Sequence, residues 1–189
     1  MRARDIGRDL HLREAQTDRL LDELQAGRLD AIVVASPPEG PGLQAIPLFA
    51  DRFLLAGSAA RIADLRSRPL SPDALDPGQL LLLDEGHCLG DQALEVCGLN
   101  RRAARLDLGA ASLSTLCRLA AQGMGLTFLP RSPAGRSWPR HRPDGRQVSR
   151  PQPARQVMLM RRASTPGQGW FDDLARLLTA AARPLLDLG

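Results

Sequence analysis

Glu85-Gly86-His87-Cys88-Leu89-Gly90-Asp91-Gln92-Ala93-Leu94-Glu95-Val96-Cys97 follows directly on an apolar run, Leu80 to Leu83, that reads as a short buried strand. The chain turns through Gly86 and takes up a helix-like pattern. Two of its three cysteines lie here, nine residues apart, with His87 beside the first. A thiol reacts through its thiolate, and thiolates form beside cations and at helix N-termini. Cys88 therefore qualifies as a reactive cysteine. A small buried hydrophobe placed after a strand accounts for it equally well on local grounds.

Spacing bears on the choice. If Cys88 and Cys97 sat on one intact helix, about 13–14 Å would separate them along its axis. A disulfide needs the two Cα atoms within about 7 Å. Pairing them requires the segment to unwind first, which is the behaviour of a local element with two arrangements. Metal binding is the weaker rival, because His-Cys followed by one distant Cys lacks a fourth ligand at a familiar spacing. No metal or cofactor is expected.

Strand and helix patterns alternate on either side of this stretch. Leu10 to Ala15 alternates apolar and polar like a short strand, and a helix capped by Thr17 or Asp18 runs to about Ala26. Gly27 closes that helix before a buried strand from Leu29 to Ala35, so a parallel crossover is expected. Further strands are read at Leu43 to Leu48, Phe53 to Ala56, Leu106 to Leu108, Leu126 to Pro130 and Gln156 to Met160. Helices are read between Leu65 and Pro77, from Ser112 to Gln122 and from Trp170 to Leu186. The class is α/β with a largely parallel sheet.

The chain has 189 residues, 43% hydrophobic and 24% charged, as an ordinary globular protein has. No apolar run reaches membrane-spanning length and the N-terminus lacks a secretory core, so a cytoplasmic location and no membrane partner are expected. The net charge is +4 and the pI about 10.0. All of the positive side chains are arginine. Many lie between Arg131 and Arg155 among prolines, which reads as a solvated loop rather than a nucleic-acid surface. Cys117 falls among Leu113, Leu116 and Leu119 on one helix and reads as core. His11 and His141 have no visible partners, and no Ser-His-Asp grouping or phosphate-binding loop is present.

Gly86 to Cys97 closely resembles the redox segment of the OxyR family, the hydrogen-peroxide-sensing LysR-type transcription regulators. The resemblance continues through Ser112 to Leu116 and Gly123 to Pro130, and reaches back to His11–Thr17 and Gly27–Ala31. It implies two Rossmann-like subdomains of the periplasmic-binding-protein type. Subdomain I would comprise residues 1–49 and 157–189, truncated at its start, and subdomain II residues 50–156, carrying the cysteines. It also implies that Cys88 is the peroxide-reacting cysteine and Cys97 its disulfide partner. Thr17, Gly86, His87 and Arg155 would line the peroxide pocket. Gly90 stands where the family motif usually has arginine.

The implied role is regulatory and not enzymatic. The expected partners are hydrogen peroxide, a second copy in a homodimer or tetramer, and a thiol reductant for resetting. Promoter DNA and RNA polymerase would be reached only through a DNA-binding domain absent from this chain. The alternative is a LysR-type effector domain that binds a small metabolite in the cleft between its subdomains, without sensing peroxide.

Overall fold

The computed structural model describes residues 10–35, 41–65, 75–84, 88–96, 98, 106–110, 112–131, 143–147, 152–166 and 168–186. The chain divides into two compact units, Met1–Ala50 with Gln156–Gly189, and Asp51–Arg155. It passes from the first unit to the second within one long strand and returns within another.

The first unit begins with α1 (Thr17–Gln25), followed by β1 (Ile32–Val34). Strand β2 (Leu43–Gly57) leaves this unit, β7 (Ala154–Arg162) re-enters it, and α5 (Gln168–Leu186) ends it. Strand β1 pairs antiparallel with β7, Ile32 opposite Met160 and Val34 opposite Met158. Alternation along β7 divides the apolar side chains between two clusters. Met158 and Met160 pack with Leu24, Ile32 and Val34, while Val157 and Leu159 pack with Leu48, Phe171 and Ala175. The period-two rule thus serves a sheet covered by α1 side chains in one cluster and α5 side chains in the other.

Thr17 is the first residue of α1, and the capping position is Gln16, which makes no side-chain cap bond. The expected Thr17 or Asp18 cap is replaced by Asp18 lying inside the first turn, where its charge meets the positive helix end. At the other end Gly27 takes a φ of 75°, the left-handed conformation that closes a helix. The Arg162 guanidinium bonds the carbonyls of Leu24 and Leu29 there.

Leu10 to Ala15 is not a strand. Alternation makes a strand only where a neighbour accepts its backbone groups, and among the described residues this segment has no ladder. It runs alongside α1, where Arg13 lies 2.8 Å from the Glu23 carboxylate as a charge contact rather than an aligned hydrogen bond. Leu12 stays 87% exposed.

The second unit holds the rest of β2, then α2 (Ala59–Asp64), a 3-10 turn at Pro77–Gln79, β3 (Leu81–Leu83) and α3 (Cys88–Val96). It continues with β4 (Leu106–Ala110), α4 (Leu113–Ala121), β5 (Thr127–Pro130) and β6 (Asp144–Gln147). Strand β2 pairs antiparallel with both β5 and β6. Strands β3 and β4 run parallel, with α3 as the crossover between them. A parallel bridge joins Leu80 to Leu126. Beside it Gly125 approaches so closely that a Cβ would meet Leu81 Cγ at 2.6 Å and the Gln79 carbonyl oxygen at 2.7 Å. Only glycine fits.

Two expectations change here, and a third goes untested. The sheet is not largely parallel: β1–β7, β2–β5 and β2–β6 are antiparallel, because periodicity identifies strands without giving their direction. The helix expected between Leu65 and Pro77 falls mostly on residues 66–74, outside the described residues; ahead of it α2 ends at Asp64, with Ser58 as its N-cap accepting from Arg61 N–H. Within the arginine- and proline-rich stretch, residues 144–147 form an edge strand with no apolar alternation to announce it. Elsewhere Ser112 caps α4 as expected, accepting from Thr115 N–H at 3.2 Å.

Candidate functional site

The buried Leu81-Leu82-Leu83 of β3 delivers the chain to α3, whose first residue is Cys88. Leu89 and Leu94 enter the core of the second unit with 8% and 5% exposure, so apolar burial fixes this helix against β3. Cys88 is half-buried with a free thiol. It occupies the N-terminal end of a helix at the carboxyl end of a parallel strand, where open α/β sheets place their ligands. Gln92, one turn further along, is buried at 7% exposure.

Arg155 comes to the same helix from the start of β7. Its Nε and Nη2 donate to Asp51 Oδ2 at 3.1 and 3.0 Å, and its Nη1 donates to Gln92 Oε1 at 3.4 Å. The guanidinium carbon lies 6.0 Å from the Phe53 ring centroid. Asp51 and Phe53 alternate inward along β2, both with no more than 1% exposure. The backbone locks this corner: Phe53 N–H donates to the Pro153 carbonyl at 2.8 Å, and the Gln152 amide donates to the Phe53 carbonyl at 3.1 Å. A carboxylate buried as deeply as Asp51 requires a partner of opposite charge, and Arg155, 16% exposed, supplies it.

The predicted site residues therefore fall into three groups. Cys88 and Arg155 belong to the second unit, and Arg155 contacts the cysteine helix through Gln92. Thr17 belongs to the first unit, as the first residue of α1. Gly86, His87 and Cys97 lie outside the described residues. Sequence reasoning missed Asp51 and left Gln92 as one letter of a motif. The available signal was a charged residue in an inward slot of β2, in step with Phe53 and Leu55.

Cys117 is buried in α4 with 1% exposure, and burial pushes its thiol from 9.0 up to about 11. It is a packing residue at neutral pH. Among the described residues no group of three or more His, Cys, Asp or Glu side chains is arranged to hold a metal ion, and no helix is long and apolar enough to cross a membrane. A separate open cavity of about 1160 Å³ lies in the first unit against Leu12, Leu29, Ile32, Val33, Trp170 and Leu174. Size does not make it the chemical site: it contains neither Cys88 nor Arg155.

The LysR substrate binding domain profile matches residues 1–183, and the chain belongs to that family. More narrowly, it is similar to the reduced form of the OxyR regulatory domain from Pseudomonas aeruginosa, with a TM-score of 0.75 and 31% identity over 90% of this chain and 82% of that one. Among curated relatives it is similar to the probable hydrogen peroxide-inducible genes activator of Mycobacterium avium, 39% identical over 176 residues, covering 91% of this chain and 55% of that protein. It is also similar to the HTH-type transcriptional regulator EstR of Acinetobacter baylyi, 32% identical over 176 residues, covering 90% of this chain and 58% of that protein. The chain thus spans little more than half the length of these curated relatives.

Proposed function

We propose that this chain is the peroxide-sensing regulatory part of a cytoplasmic LysR-type transcription regulator. Residues 1–49 with 157–189 form its subdomain I and residues 50–156 its subdomain II. Cys88 is the sensor, and Gly86, His87 and Arg155 of the same unit serve its reaction with peroxide. The Cys88 thiolate attacks one oxygen of hydrogen peroxide. An S–O bond forms as the O–O bond breaks, and the departing hydroxide leaves as water after taking a proton. The resulting sulfenic acid is attacked by the Cys97 thiolate, which forms the disulfide and releases a second water. Two thiols are oxidised and one peroxide is reduced. A thiol reductant reverses the reaction.

The observation that carries this reading is the Arg155 guanidinium bonded to Gln92, one helical turn from Cys88 at the start of α3. A cation and a helix N-terminus both favour a thiolate, and a cation also stabilises the charge on a leaving oxygen. The similarity to peroxide-inducible activators supplies the oxidant. Signal output runs through a homodimer or tetramer to promoter DNA and RNA polymerase by way of a DNA-binding domain.

Mass spectrometry after one equivalent of peroxide tests the reading. The expected product is a Cys88–Cys97 disulfide that disappears in the Cys88→Ser variant; an intact pair of thiols in the unsubstituted chain would sink it. The similarity to EstR, whose name carries no peroxide, favours one second reading: an effector domain that binds a small metabolite. Calorimetric binding of a metabolite, with Cys88 no more reactive than a free cysteine, would establish that instead.

A further inference from the structure

Asp51 and Arg155 are the first and last residues of the second unit, 104 positions apart in sequence. Their ion pair closes that unit's chain on itself at the corner where Gln92 arrives from α3. A guanidinium is a rigid planar fork. Once Asp51 Oδ2 holds Nε and Nη2, the plane is set, and Nη1 is left directed at the Gln92 amide oxygen. At 3.4 Å the Gln92 contact is long for a hydrogen bond. It is nonetheless charge-assisted and set among Phe53 and other buried groups.

We infer that Asp51 and Gln92 are positioning residues of the redox switch: Asp51 aims Arg155, and the Arg155–Gln92 contact clamps the cysteine helix in its reduced arrangement. The inference rests on the disulfide chemistry proposed above. Helix α3 begins at Cys88 and runs to Val96, immediately before Cys97. The intact helix sets Cys88 about 12 Å along its axis from Val96, and a chain neighbour of Val96 reaches at most about 3.8 Å back; a disulfide needs Cα atoms within about 7 Å, so α3 cannot stay intact in the disulfide form. Gln92 lies in the middle of the segment that must unwind, so its contact with Arg155 belongs to the reduced state alone. A contact made in only one of two states biases the equilibrium toward that state by its own free energy.

The sign of each substitution follows. Gln92→Ala removes the clamp and favours the disulfide by about tenfold, moving the midpoint potential about 30 mV more negative. Gln92→Glu sets a carboxylate against the guanidinium, strengthens the clamp and moves the potential the other way. Asp51→Asn leaves Arg155 unaimed and shifts the potential in the same direction as Gln92→Ala. The double variant shifts by less than the two single shifts added, because both act through one contact.

The experiment equilibrates the full chain and each variant in glutathione buffers of graded potential and reads the Cys88–Cys97 disulfide by mass spectrometry. Opposite shifts for Gln92→Ala and Gln92→Glu establish the clamp. Potentials unchanged in both, with the disulfide still forming, overturn the clamp and leave the peroxide reading standing. Absence of the disulfide in the unsubstituted chain overturns the peroxide reading and the clamp together. Additive shifts in the double variant remove Asp51 from the device. Substituting a buried charge is costly, so where Asp51→Asn melts below the assay temperature the two Gln92 variants decide alone.

Discussion

Cys88 and Cys117 are chemically the same residue in opposite settings. Cys117 is enclosed by the core around Leu116 and Ala120, and burial holds its thiol at about 11. A raised folded value means that Cys117 favours folding below its ordinary 9.0 and loses that contribution as pH climbs from there through about 11. The expected loss is up to about 3 kcal/mol, read as a fall in denaturant midpoint between those pH values that Cys117→Ala abolishes. At neutral pH an alkylating reagent should label the half-buried Cys88 first and reach Cys117 only on unfolding. Cys117→Ser should destabilise by about 1–3 kcal/mol, since it buries a hydroxyl, yet leave the proposed peroxide-dependent disulfide in place. Both cysteine placements were legible in the sequence: Cys117 in the core from its helical apolar neighbours, Cys88 at a helix start from the strand-to-helix transition. Asp51 was not. Its inward slot on β2 could mark it as a buried charge, but its partner lies 104 residues away, and no local pattern registers a contact of that range.

At the scale of elements, what the sequence revealed follows from how each element is stabilised. Strand β3, helix α4 and helix α5 declare themselves because apolar side chains hold them and apolar spacing can be read directly. Strand β6 was hidden because it is held through its backbone on β2, with mostly exposed side chains. Leu10 to Ala15 misled for the converse reason, carrying the alternation of a strand without a ladder. Helix α3 is secured by Leu89 and Leu94, so Leu94→Ala should lower stability by about 2–4 kcal/mol. Hydrogen exchange across Cys88–Val96 should rise with it, and disulfide closure should quicken. Gly125 tests the bridge between Leu80 and Leu126. Gly125→Ala should cost about 1–3 kcal/mol by thermal melting, because the backbone of Gln79 stands in the way of a Cβ.

The molecule as a whole is two units, each with its own apolar interior. That independence has a measurable form. Phe171 is fully buried in the first unit beneath the Arg161 guanidinium, and Phe171→Ala should lower stability by about 3–5 kcal/mol. It should leave the proposed Cys88–Cys97 equilibrium unchanged, because among the described residues its cluster draws on the first unit alone, whereas α3 belongs to the second. A shift in that equilibrium would show the units to be energetically coupled. The α/β class was evident from alternating patterns. The antiparallel joins were not, because strand direction depends on the route of the chain between units.

The burial of Leu89 and Leu94 also has a consequence in time. Lifting both out of the core costs about 3–6 kcal/mol, so α3 is open in about 10⁻² to 10⁻⁴ of molecules at any instant. If Cys88 oxidises as proposed, its sulfenic acid must wait for such an opening before Cys97 can reach it. A brief exposure that reductants clear within the wait leaves no record, whereas a sustained one is written into the disulfide. The two leucines make the helix a delay line, and their hydrophobic area sets its length.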